Sequence, residues 1–318
     1  MSSLVGRWRG RQVVVSDLTH EEIEEIEDSE FDVALAASSF EPRARSAFSR
    51  FRRVFSGVGL GVLFEERKDD NVRRNVDVEM RRIMPDVLEL PIAHYARCFR
   101  EVRRLVSERR DGMARVLVDY SCFPKPYYVG MLSLACLVAP AEVVFVYDLG
   151  QRDDCGNWDA AEVDDIYAIP GFEGAGIESD REEFLIGLGY DGAQSGALLE
   201  VLQPHAVHAL LADPGVEASS VGRVLETNSL VLEQARNVVR APLEAVVDVA
   251  TAVRELVPRG SESNFCLVPL GPKPHALALG VVALLEASVT YLHVMSRRPP
   301  KRRVLPQHRF CGTRVLVE

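Results

Sequence analysis

The sequence predicts an α/β protein built from two tandem Rossmann-like parallel-sheet units related by internal duplication. Three observations carry that expectation. From Phe31 onward, apolar runs of strand length alternate with segments of helix length. The alternation stops between Gly150 and Glu183 and then resumes. The second series repeats the first at an offset of roughly 150 residues, the kind of self-similarity that precedes any naming of a fold.

The elements follow in order. Gln12 to Val15 is a short strand, and Thr19 to Asp28 is an acidic helix capped by Thr19 or Asp17; both read as a lead-in. Phe31 to Ala37 is a continuous apolar strand of the kind buried on both faces of a parallel sheet. A polar turn, Ser38 to Arg43, leads into a basic helix with Phe48, Phe51 and Val54 on one face. Strands at Val58 to Phe64, Val87 to Leu90, Val116 to Asp119 and Glu142 to Tyr147 then alternate with helices at Val72 to Ile83, Ala93 to Arg109 and Tyr127 to Val138. Strands separated by helices imply right-handed crossovers and a parallel sheet covered on both sides.

Residues 1–150 therefore form the first unit, and acidic residues 151–183 form a solvated linker or, with Trp158, Tyr167 and Phe172, a lid. Residues 184–318 form the second unit with a basic C-terminal tail. Within it, Phe184 to Leu188 matches Phe31 to Ala37, Val207 to Ala212 matches Val58 to Phe64, and Val238 to Ala241 matches Val87 to Leu90. Helix Glu244 to Val257 matches Ala93 to Arg109, Phe265 to His275 matches Val116 to Tyr127, and Val289 to Val294 matches Val143 to Tyr147. The two halves are expected to superpose strand for strand in one order.

Composition bounds the function. A chain of 318 residues, 47% hydrophobic and 26% charged, buries one large or two medium cores. The apolar run Met131 to Ala139 is too short to span a bilayer, and Arg7, Arg9 and Arg11 around Trp8 do not resemble a signal peptide, so the expected location is cytoplasmic, with no membrane partner. The six cysteines show neither a Cys-x-x-Cys pair nor zinc spacing, so no metal is expected. A net charge of -10 and a pI near 5.3 exclude a whole-surface nucleic-acid binder. Nucleic acid remains a partner only through the basic tail of Arg297, Arg298, Lys301, Arg302 and Arg303.

In an open parallel sheet, ligands bind at the carboxyl ends of the strands, and the polar turns all follow strands. Ser38, Ser39, Glu41 and Arg43 would share one rim with Asp119, Ser121 and Lys125. Tyr190 and Asp191 would share the other with Gly271, Lys273 and His275. The turns Pro272-Lys273-Pro274 and Pro124-Lys125-Pro126 each lead from a strand into an apolar helix. A glycine at such a turn lets backbone N–H groups approach an anion, the helix N-terminus favours negative charge, and lysine adds a point charge. That is phosphate chemistry. A plain structural turn, a Glu41–Arg43 ion pair and a capping histidine are the alternatives.

Leu270-Gly271-Pro272-Lys273-Pro274, followed by Ala276-Leu277-Ala278-Leu279, resembles the Gly-Thr-Lys-x-Met turn and helix of the CRISPR-associated Rossmann-fold (CARF-like) ligand-sensing domains, with Pro272 where that family has threonine. The resemblance covers about a dozen residues of one half. It implies that Gly271 and Lys273 face a phosphate, that two halves in one chain act as a built-in pseudo-dimer, and that the role is signalling in prokaryotic antiviral defence.

Enzyme motifs are weak. Glu65-Glu66-Arg67-Lys68 contains the Glu-x-Lys of metal-dependent nucleases without the accompanying aspartate, and Arg303 to His308 has a ribonuclease-like spacing interrupted by Pro306. The expected function is binding of a nucleotide-like or phosphorylated small molecule at the strand ends, with no assignable cofactor and with a protein partner in a complex as a further possibility. An enzyme acting on a nucleotide, using Glu41, Asp119, Asp191 and His275 as acid/base groups, is the alternative. A scaffold subunit is the third reading. Two further expectations follow from the sequence: proteolysis first between Gly150 and Arg181, leaving two compact fragments, and a larger binding loss for Lys273→Ala than for Lys125→Ala, because Gly271 is open where Phe123 is bulky.

Overall fold

The computed structural model describes residues 3–66, 68–152, 162–175, 181–258, 263–296 and 304–318, with the backbone alone for residues 218 and 219. Arg67, Cys155, Trp158 and the basic cluster at Arg297, Arg298, Lys301, Arg302 and Arg303 lie outside the described residues.

The chain opens with an antiparallel hairpin, β1 (Ser3–Trp8) and β2 (Arg11–Asp17). Helix α1 (His20–Glu24) begins at a reciprocal cap: the Thr19 hydroxyl accepts from the Glu22 N–H at 3.2 Å and the Glu22 carboxylate accepts from the Thr19 N–H at 2.9 Å. The first strand–helix series is β3 (Val33–Ala37), α2 (Ser46–Arg50), α3 (Arg52–Val58), β4 (Gly59–Phe64), α4 (Asn71–Ile83), β5 (Asp86–Leu90), α5 (Tyr95–Arg109), β6 (Ala114–Asp119), α6 (Lys125–Val138) and β7 (Ala141–Asp148). The short β8 (Gln151–Arg152) and β9 (Val163–Ala168) follow. The second series is β10 (Glu182–Gly187), α7 (Gly192–Leu202), β11 (Ala206–Ala212), α8 (Ala218–Thr227), α9 (Ser229–Gln234), β12 (Ala235–Ala241), α10 (Val246–Leu256), β13 (Asn264–Pro269), α11 (Lys273–Leu285) and β14 (Val289–Ser296). The chain closes with β15 (Val304–Leu305) and β16 (Phe310–Val317).

Two compact units result: Met1–Asp154 with Arg302–Glu318, and Cys155–Lys301. The first is built on an 8-stranded sheet ordered β1-β2-β16-β7-β6-β3-β4-β5, the second on a 6-stranded sheet ordered β12-β11-β10-β13-β14-β9. In each, the series pairs parallel throughout, with the first strand (β3 or β10) flanked by the second and the fourth. An antiparallel strand, β16 or β9, lies beside the fifth; β9 ends its sheet, whereas β16 is followed by β2 and β1. Strand for strand, the two series have one order, as the recurrence in the sequence requires.

Burial explains the element types. All residues of β4 and of β7 are buried, which is how a strand covered on both faces reads, and on one face of the first sheet Phe48, Phe51 and Phe55 pack on Ala34, Ala36, Val144 and Val146. Helix α11 is apolar all round because every residue from Pro274 to Leu285 is buried. At the ends of β3 and β4, the buried Arg73 of α4 donates to the Phe64 carbonyl at 2.7 Å, to the Ser38 carbonyl at 3.3 Å and to Asp77 at 2.6 Å, and the Ser38 hydroxyl donates to the same Asp77 oxygen.

Three expectations are corrected. The N-terminal strand and Thr19-capped helix form where expected, but the strand is no lead-in: β2 is a member of the first sheet and pairs with β16. The described part of residues 151–183 is neither linker nor lid, because β9 is the edge strand of the second sheet and Ile169 and Phe172 are buried behind it, Phe172 lying 6.4 Å from Tyr291. Its acidity reflects an edge strand whose Asp164 and Asp165 face water. The C-terminal segment from Val304 belongs to the first unit, where β16 lies between β2 and β7.

Arg73→Ala removes the donors to two buried carbonyls and leaves Asp77 without its guanidinium. A loss of about 3 to 5 kcal/mol in the first unit is expected, measured by urea unfolding followed by far-ultraviolet circular dichroism.

Candidate functional site

In a sheet of this order the crevice for a ligand lies where the chain direction of the crossovers reverses, outside the ends of the first and fourth strands. In the first unit those ends are Ser38 to Arg43 after β3 and Tyr120 to Lys125 after β6. In the second they are Leu188 to Asp191 after β10 and Leu270 to Lys273 after β13.

The first rim is polar and interlinked. Arg43, 4% exposed, sits in the turn of Pro42–Arg45. Its Nε donates to Glu41 at 2.6 Å, and its Nη1 donates to the Tyr147 hydroxyl at 2.9 Å and the Asp148 carbonyl at 3.3 Å. Burial opposes the charge on Arg43, but Tyr147, Glu41 and Cys122 together outweigh it and hold the guanidinium well above its ordinary value. The Cys122 thiol approaches Glu41 at 4.0 Å. Asp119 accepts from the Ser121 N–H at 3.0 Å, and the Ser121 hydroxyl accepts from the Asp148 N–H at 2.9 Å. Asp148 ends β7 with 0% exposure, and among the described residues neither oxygen of its carboxyl group has a hydrogen-bond partner. Ser39 accepts from the Glu41 N–H at 3.2 Å. Lys125 is the first residue of α6, after Pro124.

The second rim has the same backbone and different chemistry. Pro272 before Lys273 has φ -65° and ψ 154°, and Pro124 before Lys125 has φ -62° and ψ 152°. Yet a Cβ on Gly271 would stand 2.9 Å from the Leu188 carbonyl oxygen, and one on Gly189 would strike that of Leu270. The two turns pack backbone on backbone, so the glycines close this crevice rather than open it. Tyr190 follows Gly189, and Asp191 caps α7 by accepting from the Gln194 N–H at 3.2 Å. Where β7 ends in Asp148, β14 ends in Ser296, whose hydroxyl accepts from the Gln194 amide at 3.0 Å.

His275 is 1% exposed, and its Nε2 lies 3.1 Å from the Pro242 carbonyl oxygen. A carbonyl only accepts, so the neutral ring carries its proton there. Phe123 is not in the way of Lys125: it is buried, stacked on Tyr127 at 5.5 Å and edge-on to Phe64 at 6.4 Å.

The structure thus brings together Ser39, Glu41, Arg43, Asp119 and Ser121 on the first rim and places Lys125 at the start of its helix. Ser38 is engaged with Asp77 below the rim. Tyr147 and Asp148 were missing from the sequence-derived set, although Asp148 closes an apolar strand just as Asp119 does. Among the described residues no group of three His, Cys, Asp or Glu side chains could hold a metal ion, and no helix is long and apolar enough to cross a membrane.

No protein-family model and no curated protein matches the chain. Among solved structures, the chain is similar to the cytoplasmic domain of a prokaryotic cation chloride cotransporter, at 11% identity and a TM-score of 0.25, over 84% of this chain and 96% of that one.

Burial lowers the pKa of His275 from 6.5 to about 4. The unfolded chain therefore binds a proton that the folded one refuses in that window, and stability present above pH 6.5 is lost as pH falls toward 4. His275→Gln is expected to flatten that loss, on the order of 3 kcal/mol, in urea titrations at pH 7.5, 6 and 4.5.

Proposed function

We propose that the chain binds a nucleotide-like, phosphorylated small molecule at the strand ends of its Rossmann-like units, with the first unit holding the principal site, and that binding serves signalling in prokaryotic antiviral defence. The observation that carries the reading is Asp148, a fully buried carboxyl group without a hydrogen-bond partner on a rim that also holds Arg43, Asp119 and Ser121. Burying such a group without donors is costly, and the hydroxyl or amino hydrogens of a ligand supply them. The N-terminus of α6, with Lys125 as its first residue, offers the positive end of the helix dipole and a cationic side chain to a phosphate on the same rim. Sugar hydroxyls beside a phosphate are the makings of a nucleotide. The defence role rests on the resemblance of the Leu270 to Pro274 turn to CARF-like sensing domains.

Binding is favoured over catalysis by the engagements of the acid/base candidates. Glu41 is paired with Arg43, Asp119 holds the Ser121 turn, Asp191 caps α7, and His275 is buried against Pro242. The nuclease-like pair is likewise occupied: Glu66 accepts from the Ile92 N–H at 3.0 Å and Lys68 pairs with Glu89 at 3.2 Å.

The ligand is identified by mass spectrometry of small molecules released by heat from purified protein, and its affinity is then measured by calorimetric titration. Asp148→Asn and Lys125→Ala are each expected to weaken it about ten- to a hundredfold. Lys273→Ala is expected to cost less, the reverse of the order suggested by the sequence, because Gly271 faces the Leu188 carbonyl and Phe123 points into the core. Unchanged affinity in both first-rim variants, with stability also unchanged, removes this reading in favour of a scaffold.

A further inference from the structure

We infer that the two repeats have exchanged their sixth strands, so that the chain is a strand-exchanged dimer of one ancestral unit joined into a single polypeptide. In chain order, β3 to β7 are followed by β9, and β10 to β14 are followed by β16. The offset of roughly 150 residues that relates the two parallel series also relates β9 to β16. Each therefore stands as the sixth strand of the repeat it follows. Yet β9 pairs with β14 of the second series, and β16 pairs with β7 of the first.

Both strands pair antiparallel to the fifth strand from the same ends, β9 with one register shift. Val163, the first residue of β9, lies opposite Ser296, the last of β14, and Phe310, the first of β16, lies opposite Asp148, the last of β7. The alternative origin for β9, as a leading strand of the second repeat, fails on the first repeat's own leading strand: β2 precedes β3 and pairs with β16, not with β7. The equivalence therefore runs from β9 to β16 and the exchange is reciprocal, as when two copies of one protein swap an identical element.

This changes what cleavage at the junction does. A cut at residues 176–180 leaves β9 on the N-terminal fragment, where it remains a strand of the second sheet, and β16 on the C-terminal fragment, where it remains a strand of the first. The two compact, separable fragments expected from the sequence are not produced.

The test places a specific protease site at residues 176–180 of the full chain. After cleavage the fragments are expected to elute together at the volume of the uncut chain in native buffer and to separate in urea. Amide hydrogen exchange read by mass spectrometry is expected to leave β9 and β16 as protected as before the cut. Tyr167→Pro and Val315→Pro, which remove ladder bonds from the middle of each exchanged strand, are expected together to release the fragments under native conditions. Separation after the cut alone, loss of protection at β9, or fragments that stay together with both prolines in place would each overturn the exchange. If a proline variant does not fold, the protection of β9 and β16 in the unsubstituted cut chain decides the matter.

Discussion

A parallel sheet covered on both faces leaves its strands no room for polar side chains, and this constraint orders everything else in the molecule. Apolar residues fill β3 and β4 and dominate β6, β7, β10, β11 and β13, the buried Glu142 and His208 being paired with Arg115 and Glu183, and most other polar groups lie at the strand ends. There the backbone loses its ladder and needs partners of other kinds. In the first unit, the guanidinium groups of Arg43 and Arg73 supply them, Arg43 reaching the last carbonyl of β7 and Arg73 the last of β4 and the one just beyond β3. A buried guanidinium in turn demands acidic or hydroxyl partners, which accounts for Glu41, Tyr147 and Asp77 around the two arginines. Among the described residues, the carboxyl oxygens of Asp148 gain no such partner.

The same constraint made the fold legible. Runs such as Phe31 to Ala37 and Glu142 to Tyr147 announce doubly covered strands without any alternation to decode, and the order of the two sheets follows from their recurrence. Legibility failed at the antiparallel edges. In β9, Asp164 and Asp165 face water on a half-exposed strand, so local composition reads as linker, and only pairing with β14 makes it a strand. In β16 the obstacle is distance: its partners β7 and β2 lie far back in the chain, and no local pattern names them.

For the site, residue type was informative and environment was not. The turns after β3 and β6 were identifiable as a rim because polar residues follow apolar strands there. What could not be read was which groups are turned inward. Gly271 looks like an opening toward an anion in sequence and is a contact surface for a carbonyl in space. Phe123 looks obstructive and is part of an aromatic cluster with Phe64 and Tyr127. His275 carries a catalytic residue type and is a neutral core donor. Each misreading concerns the direction of a side chain, which local spacing does not encode.

The proposed exchange of β9 and β16 bears on how the two halves can diverge. A gene that loses its second half also loses β16 and leaves the β7 edge of the first sheet bare, a ready template for self-association. Under the proposed exchange the second half still supplies a strand to the first sheet, although its own rim has Ser296 where Asp148 stands. Drift at one rim is then tolerable, because the repeat that carries it still supplies a strand to the other sheet.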